Sequence, residues 1–269
     1  MTIAMGFKCS DGVVLCTDSL ESNGVTKRMV SKLWCYQVAE EWGIAIASAG
    51  DGDLSDSFTE QLGQSLGNSD YDEHRLMEKL RVSLRQLRTD YPYDDFDMLV
   101  GIFSNAFPPT QKLYRVFGKH LGPVVSYQSI GCGSSVADFI CSQIHTPLLS
   151  VRESERLGIL TVARVKDIVE GCDGPTRAAS FTFGQSDWRV IPTSEIASIE
   201  NEFSESGFRE HLQAYWIAKN PVSDWPGGYR WLPPPGVRWK KSAKLNTMPL
   251  EIQMSEDRAG GPVPQLSDE

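Results

Sequence analysis

The sequence predicts a layered α+β fold, and three observations predict it. Strand-like and helix-like stretches come in segregated runs: strands, two helices, strands, two helices, strands. Such runs pack as helices against antiparallel sheets rather than as a doubly wound βαβ sheet. The early strands carry a hairpin signal, and each helical stretch carries one apolar stripe. The arrangement that satisfies all three is a four-layer αββα sandwich: two antiparallel sheets face to face, a helix pair outside each.

Thr2 to Lys8 is short and apolar-rich and reads as the first strand. Ser10-Asp11-Gly12 separates it from Val13 to Cys16, and Asp-Gly between apolar runs marks a turn that wants φ > 0. Leu33 to Val38 and Gly43 to Ala47 form a second pair around Glu40-Glu41. Helical spacing follows: Leu54, Phe58, Leu62 and Leu66, then Leu76, Met77, Leu80, Leu84 and Leu87, with Asp53 and Ser55 as candidate N-caps. Strands return at Met98 to Phe103, Leu113 to Phe117 and Val124 to Ile130. One helix carries Val136, Phe139, Ile140 and Ile144, and the next runs from about Ser154 to Gly171. Phe181 to Phe183 and Trp188 to Ile191 are candidate closing strands.

The expected organisation is a main domain over 1–195, an extension over 196–254 and a polar, disordered tail over 255–269. The extension opens with a helical stretch, Ile196 to Ile217, broken by Gly207. It goes on through Trp225-Pro226-Gly227-Gly228, Trp231, Pro233-Pro234-Pro235 and Trp239. It reads either as an arm that docks on a neighbouring subunit through aromatic anchors or as a segment packed back on its own domain.

The chain has 269 residues, of which 41% are hydrophobic and 23% charged, ordinary for a globular protein with a buried core. A formal net charge of -9 argues against broad nucleic-acid binding, which carries a basic face. No segment is long and apolar enough to span a bilayer, and no charged n-region precedes an apolar run, so a cytoplasmic protein without signal peptide is expected. The six cysteines form no CxxC pair and read as reduced thiols; the four histidines lie in no metal or triad motif. No metal or organic cofactor is implied.

Chemistry starts at Thr2. Methionine followed by a small residue is the usual substrate for methionine removal, which would leave a threonine with a free α-amine. An α-amine titrates at about 7.7–8.0, so it can accept the proton of its own Oγ near neutral pH. One residue then supplies nucleophile and base. Taken alone, Met-Thr also opens an ordinary first strand.

Three further blocks stand in order behind it. Gly12-Val13-Val14-Leu15-Cys16-Thr17-Asp18-Ser19 resembles the "GVVLAADS" strand of proteasome β-subunits. Ser31-Lys32-Leu33-Trp34 resembles that family's "KKIF"-like strand, and Gly43-Ile44-Ala45-Ile46-Ala47-Ser48-Ala49-Gly50 its "GLAIAG" strand. The spacing from Thr2 to Asp18 equals the family's spacing from nucleophile to aspartate; the connection to Lys32 is two residues shorter. The resemblance is clear over about residues 2–66, fainter to about 192 and absent from the tail.

The resemblance implies an N-terminal-nucleophile (Ntn) hydrolase of threonine-peptidase type. Thr2 would form an acyl-enzyme, Lys32 would lower the pKa of the α-amine and Oγ, and Asp18 would hold Lys32. The Gly50 N–H would stabilise the oxyanion. Taken singly, Asp18 also reads as a turn cap and Lys32 as a solvated strand residue. The family's "GSGS" segment appears as Gly131-Cys132-Gly133-Ser134, with Cys132 in place of a serine. Its "RDxxSGG"-like segment appears as Lys166-Asp167-Ile168-Val169-Glu170-Gly171, so Asp167 matches and Glu170 replaces a serine. Cys132, Ser134 and Glu170 are therefore supporting candidates.

The resemblance further implies peptide or unfolded-protein substrates, a homo-oligomeric ring or spiral that shelters the site, and an ATP-dependent unfoldase as possible partner. The long tail and altered segments place the chain nearest the bacterial Anbu or HslV-like groups. The alternatives are an inactive scaffold subunit, a small-molecule amidohydrolase on the same fold, and a binding module using the Trp/Pro-rich tail.

Overall fold

The computed structural model describes residues 2–22, 27–39, 41–66, 73–91, 96–106, 109–118, 120–206, 237–239 and 252–254. Met1, Gly207, Trp225, Trp231 and the tail over 255–269 lie outside the described residues. The chain divides into two compact units, Met1–Trp216 and Ile217–Glu269.

In the first unit, β1 (Ala4–Lys8) and β2 (Gly12–Thr17) pair antiparallel with Ala4 opposite Thr17. Gly12 is needed for a different reason from the one its Asp-Gly setting predicts. It does not have positive φ; a Cβ there would stand 1.8 Å from the Phe181 carbonyl oxygen. The residue is selected by close approach of the neighbouring backbone. That neighbour is β11 (Arg177–Thr182), which pairs with β2 and with β12 (Arg189–Val190). With β10 (Tyr127–Ile130) beyond β1, the order is β10-β1-β2-β11-β12.

The second sheet is β5 (Leu33–Ala39), β6 (Trp42–Gly50), β7 (Phe96–Ser104), β8 (Thr110–Phe117) and β9 (His120–Pro123), in that spatial order and antiparallel throughout. A hairpin of β3 (Leu20–Ser22) and β4 (Lys27–Met29) lies between the blocks that supply the two sheets. β9 was not predicted, and the expected strand from Val124 starts only at Tyr127.

The five described helices are α1 (Gly52–Ser65), α2 (Glu73–Asp90), α3 (Ser134–Ile144), α4 (Val151–Ile168) and α5 (Thr193–Ser206). α1 starts earlier than expected because Asp51 caps it, accepting from Leu54 N at 3.0 Å. α4 starts with a full capping box, Ser150 with Glu153, three residues before the expected start. α5 spans position 195–196 and buries Ile196 and Ile199.

Strand alternation sorts the side chains into three cores. Ile3, Met5, Phe7, Val14 and Cys16 face α3 and α4 residues such as Ala137, Ile140, Leu157 and Val162. Ile44, Ile46, Met98 and Val100 pack with Leu54, Phe58 and Leu62 of α1 and Leu76, Leu80 and Leu84 of α2. Ala4, Val13 and Leu15 of the first sheet share the third core with Ala45, Ala47, Leu99 and Phe103 of the second. Each fully buried Leu or Phe is worth about 1.5–3 kcal/mol, so these faces outweigh the weak intrinsic stability of short helices. No helix among the described residues is long and apolar enough to cross a membrane.

In the second unit, β13 (Val237–Trp239) pairs antiparallel with β14 (Ile252–Met254).

Candidate active site

The start of β1, the end of β2 and the start of β5 converge, and each delivers one predicted residue. Asp18 leaves β2 and exchanges two hydrogen bonds with Ile3: its N–H donates to the Ile3 carbonyl (3.1 Å) and its Oδ1 accepts from Ile3 N (3.2 Å). Lys32 precedes β5 and is fixed to β6, its carbonyl accepting from Ser48 N at 3.0 Å. Its side chain then crosses to Thr2.

Lys32 Nζ donates to Thr2 Oγ1 at 2.6 Å, to Asp18 Oδ1 at 2.9 Å and to the Leu20 carbonyl. Three acceptors meet the three donors of an ammonium. The ion pair is dry: the side chains of Lys32 and Asp18 are 6% and 0% exposed. A pair so far from water survives only with added hydrogen bonds, and Asp18 has them. Its Oδ2 accepts from Asp173 N at 3.2 Å, besides Ile3 N on Oδ1. Burial raises the Asp18 carboxyl above its ordinary value, with the Lys32 charge and these donors opposing. Thr2 itself is buried.

The turn before α3 forms the other wall. Gly133 N donates to the Thr2 carbonyl at 3.3 Å. Gly131 has φ of 91°, and a Cβ there would stand 2.3 Å from the same carbonyl oxygen. Both backbone conformation and space therefore require glycine. Cys132 accepts from Thr2 N on its sulfur at 3.2 Å. Its thiol also donates to the Thr2 carbonyl at 3.5 Å.

Among the remaining predicted residues, Gly50 ends β6 opposite Phe96, with φ of 107°, next to Ala49, which lines the space around Gly131. Ser134 opens α3, and its carbonyl accepts from Ser129 Oγ at 3.2 Å. Asp167 is not brought to Thr2: α4 continues through it to Ile168, its carboxylate is 64% exposed, and it pairs with Arg164 at 3.3 Å. Glu170 is exposed beyond the helix end. The structure instead brings in the next turn. Asp173 serves Asp18 through its backbone N–H, and its carbonyl accepts from Ser19 N and Leu20 N at 3.3 and 3.0 Å. Cys172 places its sulfur 3.5 Å from that of Cys132. The only sequence signal for this turn was Asp173-Gly174-Pro175 directly after a helix.

No family model matches the chain, and no curated protein matches it. Solved structures do. The Anbu (Gly-1) mutant from Hyphomicrobium sp. strain MC1 is 15% identical, with a TM-score of 0.66 over 80% of this chain and 96% of that one. Anbu (ancestral beta-subunit) from Yersinia bercovieri is 14% identical, with a TM-score of 0.65 over 85% of this chain and 100% of that one. The helical assembly of the Anbu complex from Pseudomonas aeruginosa gives 14%, 0.66, 85% and 100% in the same order. At such identity the likeness is one of fold.

Proposed function

We propose that this chain is a threonine-type peptidase subunit of a self-compartmentalised, cytoplasmic assembly, built on a four-layer αββα Ntn-hydrolase fold. The observation that carries the reading is Lys32 Nζ set 2.6 Å from Thr2 Oγ1 and paired with a buried Asp18. The shared fold with Anbu proteins, one of them a helical assembly, supports both the architecture and the oligomer.

Removal of Met1 frees the Thr2 amine. Lys32 acts by its positive charge: it favours the alkoxide of Thr2 and disfavours protonation of the adjacent amine. The amine, rather than Lys32, takes the Oγ proton. The Cys132 sulfur, 3.2 Å from Thr2 N, is placed to accept an N–H of that nitrogen. Attack on a peptide carbonyl gives a tetrahedral oxyanion for the Gly50 N–H, a donor worth about 2.7–4 kcal/mol. Collapse expels the amine product with the proton held by Thr2, and water then hydrolyses the ester.

Intact mass spectrometry with a threonine-directed epoxyketone tests this. Loss of Met1 and a single adduct, absent in Thr2→Ala, is expected. A retained Met1, or a bare Thr2 that never reacts, would leave the inactive scaffold as the reading.

A further inference from the structure

The mechanism uses Cys132 as a hydrogen-bond acceptor and leaves Cys172 without a task. The two sulfurs are 3.5 Å apart, and the Cys132 sulfur also lies 3.2 Å from Thr2 N and 3.5 Å from the Thr2 carbonyl oxygen. They come from different elements: Cys132 from the turn before α3, Cys172 from the turn after α4. Gly133 is packed tightly between them: a Cβ there would stand 2.5 Å from Val165 Cγ1, 3.0 Å from Ile3 Cβ and 3.2 Å from the Cys172 sulfur. Cys132 is exposed and Cys172 is buried behind it. We propose that Cys132 and Cys172 form a hydroperoxide-responsive dithiol, whose closure to a disulfide draws the Cys132 sulfur away from Thr2 and switches the site off.

The chemistry balances with a hydroperoxide as oxidant. The exposed Cys132 sulfur attacks the peroxide oxygen, giving Cys132–SOH and an alcohol or water. The Cys172 sulfur then attacks Cys132 sulfur, the S–S bond forms, and hydroxide leaves with the Cys172 proton as water. Burial, the hydrogen bond from Cys132 and its charge all hold the Cys172 thiol well above its ordinary range, with Lys32 opposing. Cys172, its sulfur 3.5 Å from that of Cys132, is the thiol placed to resolve the sulfenic acid.

The other thiols do not compete. Cys9, Cys16 and Cys141 are buried and Cys35 is only partly exposed, which shields them from a dissolved peroxide, whereas Cys132 is exposed. A disulfide needs its sulfurs about 2 Å apart, so closure shortens the present gap substantially. Withdrawing a supporting group by a distance of that order slows a positioned nucleophile by about a hundredfold. The switching half rests on the Thr2 reading; the bond itself does not.

The test treats the reduced full-length protein with hydrogen peroxide, at a dose that oxidises glutathione in the same tube, followed by denaturing alkylation and peptide mapping. Expected are a Cys132–Cys172 cross-link and loss of the epoxyketone adduct on Thr2, both reversed by dithiothreitol. In Cys172→Ser a dimedone adduct at Cys132 replaces the cross-link, and in Cys132→Ser no cross-link forms. Hydrogen exchange of the Gly133 amide, which donates to the Thr2 carbonyl beside Cys132, should quicken on oxidation, which reads the withdrawal without catalysis. Both thiols alkylated after peroxide, or Cys132 over-oxidised without a cross-link, overturns the dithiol. A cross-link that leaves exchange unchanged overturns the switch. A Thr2 that is unreactive already in the reduced protein is a failure of the peptidase reading, and exchange and mapping then decide the dithiol separately.

Discussion

The Lys32 ammonium donates a hydrogen bond to the Thr2 hydroxyl oxygen across 2.6 Å. In the proposed mechanism that contact makes Lys32 an electrostatic partner of Oγ, and the Thr2 amine its base. Lys32→Met should therefore abolish reaction of Thr2 with an epoxyketone, by at least about a hundredfold. It should also leave Asp18 buried without its cation, at a cost of about 3–5 kcal/mol in urea unfolding. The double variant Asp18→Asn, Lys32→Met should regain most of that stability and none of the reactivity. Recovery of reactivity in the double variant would mean that Lys32 serves Asp18 and not Thr2.

Asp18 makes a stability prediction whose sign is fixed by its environment. Burial raises its carboxyl pKa in the folded protein above the ordinary value. The native state then holds the proton more tightly than the unfolded chain. Its contribution is fully present below the unfolded pKa and is lost as pH rises through the raised folded value. Asp18→Asn does not titrate. The stability of the parent minus that of the variant should fall from about pH 4 upward and then level off. Urea midpoints across the acid range measure it. A difference that rises with pH would show that Lys32 and the backbone donors outweigh burial.

A Cβ at Gly131 would stand 2.3 Å from the Thr2 carbonyl oxygen. Gly131→Ala forces a side chain into positive φ, at about 1–3 kcal/mol, and drives its Cβ against the Thr2 carbonyl. The loss in Thr2 reactivity should exceed what the fall in stability explains, because the displaced residue is the nucleophile. Thermal unfolding and probe labelling of the folded fraction separate the two effects. Labelling that merely tracks the folded fraction would show that the turn yields without moving Thr2.

What the sequence disclosed followed from how local each signal is. Thr2, Asp18 and Lys32 sit at the ends of strands whose apolar runs are written in consecutive residues, so blocks of sequence locate them. The contacts that complete the site are backbone groups: the Leu20 carbonyl under Lys32 and the Asp173 N–H on Asp18. Any residue type supplies those, so no side chain announces them. β3 and β4 have three residues each and β9 four, too short for alternation to register. The cap at Asp51 and the reason for Gly12 were misplaced because both depend on a neighbouring backbone position. The partnership of Cys132 with Cys172 spans 40 residues and two helices.

The segment after α4 offers a direct contest between a resemblance and a geometry. The resemblance points to Asp167; the geometry points one residue back. Lys166 Nζ donates to the Gly174 carbonyl at 3.0 Å, Thr176 Oγ1 at 2.8 Å and Glu200 Oε1 at 3.2 Å. It thereby pins the turn whose Asp173 N–H reaches Asp18. Among the described residues Asp167 pairs with Arg164, on an exposed helix face where such a pair is worth about 0.3–0.5 kcal/mol. Lys166→Met should loosen the turn and slow Thr2 labelling about tenfold, as a misplaced supporting group does. It should also move the acid limb of labelling to higher pH, because Asp18 loses a donor that favours its charged form. Asp167→Ala should stay within about twofold with an unshifted limb, since an exposed pair this weak changes little. Second-order labelling rates against pH for the three proteins decide it. A collapse in Asp167→Ala with Lys166→Met unaffected would mean that α4 unwinds at its end when the amine is free, carrying Asp167 to Thr2 as the resemblance requires.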